Sequence, residues 1–127
     1  MPKPVFTTAA PKPGGHYSQA VIHGQTIYVA GQLPINPDTG EKILGSIEEQ
    51  TRQTLQNVAA VVRAAGSDVE RIVKTTVFIS DIALWGRVNQ VYAEFFGEHR
   101  PARSVVPVKD LHYGFLIEIE AVAALDE

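Results

Sequence analysis

Ile117-Glu118-Ile119-Glu120-Ala121-Val122-Ala123-Ala124 is the stretch on which the fold turns. Side chains alternate along a strand, so Ile117, Ile119, Ala121 and Ala123 make one wholly apolar face, while Glu118, Glu120, Val122 and Ala124 make the other. The first face requires a layer of apolar structure above it. The second is too polar for a private core and too apolar for bulk water, which fits a sheet whose far side meets another subunit around polar clefts.

The covering layer is found upstream. Ser46-Ile47-Glu48-Glu49 fits a capping box, and a helix follows to Ala65 with Leu55, Val58, Val61, Val62 and Ala65 as its apolar stripe and Gly66 as its stop. Asp81 can cap a second helix to Phe96, with Leu84, Val88, Val91, Tyr92, Phe95 and Phe96 inward and Gly97 ending it. Between them, Ile72-Val73-Lys74-Thr75-Thr76-Val77-Phe78-Ile79-Ser80 is dense in β-branched residues and reads as a central strand. Residues 18–22 and 26–30 flank His23-Gly24 as a hairpin, and residues 31–40 read as a loop leaving it. Residues 1–16 read as loop after a short edge strand over 5–8, and further strands fall over 104–108 and 115–124. The order β-β-β-α-β-α-β-β predicts one α+β domain over 1–127, with a mostly antiparallel sheet and two helices on one face.

The bulk numbers narrow the function. A chain of 127 residues with no cysteine has neither a thiol nucleophile nor a Cys-type zinc or Fe–S site. A net charge of −3, with the 11 lysines and arginines scattered, removes the long-range attraction to phosphate that nucleic-acid binders use. Met1-Pro2-Lys3-Pro4 lacks a signal-peptide apolar run and no stretch approaches a membrane span, so a cytoplasmic protein without membrane partners is the expectation. The motifs GxSxG, GxGxxG, the Walker sequence and HExxH are absent, and His16, His23, His99 and His112 have no metal-ligand spacing, so no metal is expected.

Three residues stand out chemically. Arg103, in Pro101-Ala102-Arg103-Ser104, places a guanidinium at the start of a strand, where it can grip a carboxylate in bidentate fashion or form a structural salt bridge with Glu118 or Glu120. Glu118 or Glu120 can hold a water for attack or shuttle a proton if burial raises its pKa, or serve as that structural partner. Tyr17 can offer a hydroxyl to an anion or simply pack. Asn89 can contact a ligand or hydrogen-bond a neighbouring loop, and Trp85 reads as packing or as an exposed contact.

Gly31-Gln32-Leu33-Pro34, Asp38-Thr39-Gly40, Gln56-Asn57-Val58, Ala64-Ala65-Gly66, Val73-Lys74-Thr75-Thr76-Val77-Phe78, Val88-Asn89, Pro101-Ala102-Arg103-Ser104 and Ile117-Glu118-Ile119-Glu120-Ala121 occur in an order that resembles the Rid (YjgF-type) family of reactive-intermediate deaminases, also known as the L-PSP endoribonuclease family. The resemblance spans nearly the whole chain. It implies a fold similar to Bacillus-type chorismate mutase, whose sheets form a barrel in a homotrimer with a cleft at each subunit interface. It also implies cofactor-free hydrolysis of 2-imino acids and their enamine tautomers to 2-oxo acids and ammonia. Carried over by motif, Arg103 would bind the substrate carboxylate, Glu118 would orient the attacking water, and Tyr17, Asn89 and the Gly31 backbone would contact the ligand. Val105, where the deaminase branch commonly has cysteine, would line the same cleft. Ala30, His16 and His112-Tyr113-Gly114-Phe115 also depart from that branch, and a bulkier, more aromatic rim points toward another imine, including a ring-cleavage enamine such as an aminomuconate. Two rival readings are RNA cleavage with inhibition of translation, an activity of some relatives, and a non-catalytic regulatory protein that senses a small metabolite in the same cleft.

Overall fold

In the computed structural model, which describes residues 1–125, six strands form one sheet in the order β1-β2-β3-β6-β4-β5. They are β1 (Lys3–Val5), β2 (Ala20–His23), β3 (Thr26–Gln32), β4 (Ile72–Ile79), β5 (Ala102–Pro107) and β6 (Ile117–Ala124), with helices α1 (Ile47–Ala64) and α2 (Trp85–Phe96). β4 and β5 run parallel and the remaining pairs antiparallel, so the sheet is mixed and mostly antiparallel. Among the described residues no helix is long and apolar enough to cross a membrane.

The core follows from the alternation in β6. Ile117, Ile119, Ala121 and Ala123 are buried beneath the helices, together with Ile27, Val77 and Ile79 from the neighbouring strands and Leu55, Val58, Val61 and Val62 from α1. The capping box is formed as expected: the Glu49 N–H donates to Ser46 Oγ at 3.1 Å and the Ser46 N–H to Glu49 Oε1 at 3.3 Å. Tyr28, Phe78, Val106 and Val122 lie on the opposite face with Glu118 and Glu120, and among the described residues no helix covers them.

Several boundaries differ from expectation, each for a local reason. The edge strand is Lys3–Val5 rather than 5–8, because beyond Val5 the buried side chain of Gln19 takes over the backbone groups. Its Oε1 accepts from the Thr7 N–H at 2.7 Å, and its Nε2 donates to the carbonyls of Thr7, Ala10 and Pro11. β3 runs on through Gly31 and Gln32, where the reading had a loop: Val29 pairs with Ala121 but Gln32 with Ile119, so one extra residue is absorbed in a bulge. Asp81 caps a 3-10 turn, Ile82–Leu84, and α2 follows it. β6 begins at Ile117 rather than 115, after the 3-10 turn His112–Gly114.

α1 does more than cover the sheet. Its buried Asn57 donates to the carbonyls of both Leu33 and Ile35 at 2.9 Å, and its buried Gln50 accepts from the Leu116 N–H at 2.9 Å while donating to the Gly45 carbonyl. One helix thus fixes the segment after β3 and the segment before β6. Removing either amide would strand partly buried backbone groups, at a cost of about 1–3 kcal/mol each.

Candidate functional site

Between those two tethered segments lies a cleft of about 460 Å³. Glu118 stands on one wall, half-buried, with Tyr17, Gly31, His112, Tyr113 and Lys42 around it. Gly31, one of the two residues in the bulge, lets Glu118 lie flat against β3. A Cβ at this position would collide with the Glu118 carboxylate and come within 3.0 Å of its Cδ. Tyr17 is 52% exposed, and its hydroxyl accepts a 3.3 Å hydrogen bond from the Gly14 N–H.

Burial raises the pKa of Glu118 above the ordinary carboxylate value, the nearby His112 pulls it down, and the Glu120 carboxylate pushes it further up. A carboxyl in that setting can exchange a proton with a bound water nearer to neutrality than a solvated glutamate can. Glu120 shares the open face but does not line the cleft.

Arg103 lies elsewhere. It pairs in register with Thr75, whose side chain is buried beneath α2, so it projects to the helix side. Its Nη1 donates to Asn89 Oδ1 at 3.0 Å, and its guanidinium carbon sits 4.6 Å from the Tyr92 ring centroid and 5.0 Å from that of Trp85. Tyr92 is itself fixed by a 2.7 Å hydrogen bond to Thr75 Oγ1. Trp85, Asn89 and Tyr92 recur at helical spacing on one face of α2 and hold the guanidinium between them. Val105, in register with Val77, lies on the same side of β5 and packs against the core.

The candidate residues therefore fall into two groups. Tyr17, Gly31 and Glu118 meet in the cleft; Arg103, Asn89 and Val105 gather on the other side of the sheet. The salt bridge from Arg103 to Glu118 or Glu120 is not formed, because the register sends Arg103 to one face and both glutamates to the other. Asn89 binds Arg103 rather than a loop, and Trp85, partly exposed, is a platform for the same group. His112 and Tyr113, from the departing segment read as an aromatic rim, line the cleft; Lys12 and Lys42 line it too without having been singled out from sequence.

Residues 7–125 match the Endoribonuclease L-PSP family. The chain belongs to this family, known also as YjgF or Rid. It is 48% identical over 123 residues to a RutC family protein of Pyrococcus horikoshii, covering 97% of this chain and 98% of that one. It is 41% identical over 119 residues to the human 2-iminobutanoate/2-iminopropanoate deaminase, covering 94% of this chain and 87% of the human one. The crystal structure of the YjgF gene product from E. coli superposes with a TM-score of 0.93 at 46% identity, covering 98% and 99% of the two chains. The one mixed sheet with two helices is thus the Rid-family fold.

Proposed function

We propose that this protein hydrolyses 2-imino acids and their enamine tautomers to 2-oxo acids and ammonia, at sites completed between neighbouring subunits of a homotrimer. The observation that carries this reading is the half-buried Glu118 carboxylate, pressed against Gly31 in an open cleft, with its pKa raised. The deaminase name of the human relative supports the substrate class.

In this reading the substrate arrives as a protonated imine, the enamine having first taken a proton on carbon. Arg103 of one subunit binds the carboxylate, while Glu118 of its neighbour holds a water. Glu118 accepts a proton from that water as its oxygen bonds to the imine carbon, giving a carbinolamine. The proton passes to the amino nitrogen, the C–N bond breaks, ammonia leaves, and the C–O bond becomes the new carbonyl after loss of the hydroxyl proton. An imine carbon is electrophilic once its nitrogen is protonated, so holding carboxylate and water in register supplies most of the catalysis. RNA cleavage has less support in a chain of net charge −3 with scattered lysines and arginines.

The test generates 2-iminobutanoate in situ with a dehydratase, traps it with semicarbazide and follows its loss. Acceleration by the wild type and not by Arg103→Ala supports the reading. No acceleration by either, with 2-iminopropanoate as well, sinks it.

A further inference from the structure

The Glu118 cleft contains more positive charge than a small monocarboxylic imine requires. Lys12 and Lys42 both line it, and Glu118 is its one carboxylate among the described residues. Neither lysine is paired: the arginines Arg52, Arg63 and Arg87 bridge to Glu94, Asp68 and Glu48, whereas no described carboxylate approaches either lysine as an ion-pair partner. Nor do the lysines act on Glu118, whose charged neighbours are His112 and Glu120.

Lys42 is also positioned. Its Nζ lies 4.7 Å from the ring centroid of Tyr113. Tyr113 in turn has φ 59° and ψ 16°, the left-handed region that few residues other than glycine adopt. Its ring packs edge-on against Phe115 at 5.7 Å and beside His112 at 5.9 Å. The result is an exposed aromatic wall with an ammonium over it, facing the same space as Glu118.

We infer that Lys42 and Lys12, with the Tyr113 ring as the wall beneath the Lys42 ammonium, form a second anion-binding subsite, and that the preferred substrates are 2-imino acids whose side chain ends in a second carboxylate. This rests on the imine-hydrolase reading, in which Arg103 of a neighbouring subunit takes the first carboxylate and leaves the lysines for another anion. The part of the cleft contributed by one chain has a volume of about 460 Å³, within the usual range for small-ligand sites. Lysine suits this task because a mobile point charge tolerates side chains of different length.

Two measurements separate this inference from the reading beneath it. Calorimetry with 2-oxoglutarate and 2-oxobutanoate gives the selectivity of binding without any turnover. The ratio of kcat/KM for 2-iminoglutarate to that for 2-iminobutanoate gives the selectivity of reaction. The subsite predicts that wild type prefers the dicarboxylate in both, and that the Lys12→Gln/Lys42→Gln double variant loses about tenfold or more of the preference, as expected for two charge-assisted contacts. Lys42→Arg should retain most of it, and unchanged thermal midpoints establish that the variants fold. A wild type without preference, or a double variant with an unchanged ratio, overturns the subsite even if both imines are hydrolysed. Selective binding without turnover of either imine supports the subsite and overturns the hydrolase reading instead.

Discussion

Arg103 and Glu118 stand on opposite faces of the same sheet: the first pairs with Thr75 beneath α2, the second with Phe78 on the uncovered side. Within one chain the two side chains therefore project away from each other, with the sheet between them. If both act on one substrate, as proposed, they must come from different subunits.

Subunit mixing tests this directly. Arg103→Ala and Glu118→Gln homo-oligomers should each lose at least about a hundredfold in kcat/KM, as expected for removing a carboxylate anchor or a water-holding base. Mixed oligomers should regain activity, because some interfaces then pair an intact arginine with an intact glutamate; random mixing in equal amounts leaves roughly a quarter of them whole. Mixed oligomers seen by native mass spectrometry but without recovered activity would rule out the shared site.

The neighbours of Glu118 set a second expectation. As a base it must be ionised, so activity should fall as pH drops through its pKa, and burial places that fall above the ordinary carboxylate range. Glu120→Gln removes a like charge and should move the acid limb of the pH–rate profile to lower pH. His112→Gln removes the group that favours ionisation and should move it to higher pH. The same raised pKa has a stability consequence of opposite direction: the folded state holds this proton more tightly than the unfolded chain, so Glu118 stabilises at pH below its unfolded pKa and that contribution disappears as pH rises through the folded value. Shifts of the limb in the same direction for both variants would remove Glu118 as the titrating group.

Gly31→Ala addresses packing rather than charge. The backbone at Gly31 has no positive φ, so alanine can adopt it, but the new methyl occupies the space of the Glu118 carboxylate. The flexible carboxylate yields, not the strand. Turnover should fall by about ten- to a hundredfold, as displacements of around an ångström do, with a near-wild-type thermal midpoint. Full activity in Gly31→Ala would mean that the pose of Glu118 against β3 is irrelevant to the chemistry.

What could be read in advance depended on whether the signal was local. The two faces of β6 and the capping box at Ser46 follow from a period of two and from a four-residue motif, and both are present in the structure. Arg103 and Glu118 were recognisable as chemically unusual residues for strands. Their separation was not, because it depends on the parallel pairing of β5 with β4, which no local pattern in 102–107 announces. The bulge at residues 30–31 was hidden for a similar reason: it is defined by the partner strand, and the glycine alone reads as a turn. Lys12 and Lys42 sit in segments where lysine ordinarily faces water, so only the fold brings them to the cleft.

The first turns of the two helices are joined by Arg87, whose Nε and Nη2 donate to the two carboxylate oxygens of Glu48 at 2.8 and 2.7 Å. That fork holds the Glu48 pKa down at about 2, from 4.5, through the Arg87 hydrogen bond first and then a backbone hydrogen bond. Because the folded-state pKa is depressed, the contribution is present above the unfolded pKa and is lost as pH falls from 4.5 toward 2. Arg87 is exposed and Glu48 partly exposed, so salt weakens the effect. Arg87→Met should therefore lower the thermal midpoint at neutral pH, and the gap to wild type should narrow as pH falls through this window and close below it. Raising the salt concentration at neutral pH should narrow it as well. A gap that persists at pH values below 2 would show that Arg87 stabilises through its aliphatic packing and not through its charge.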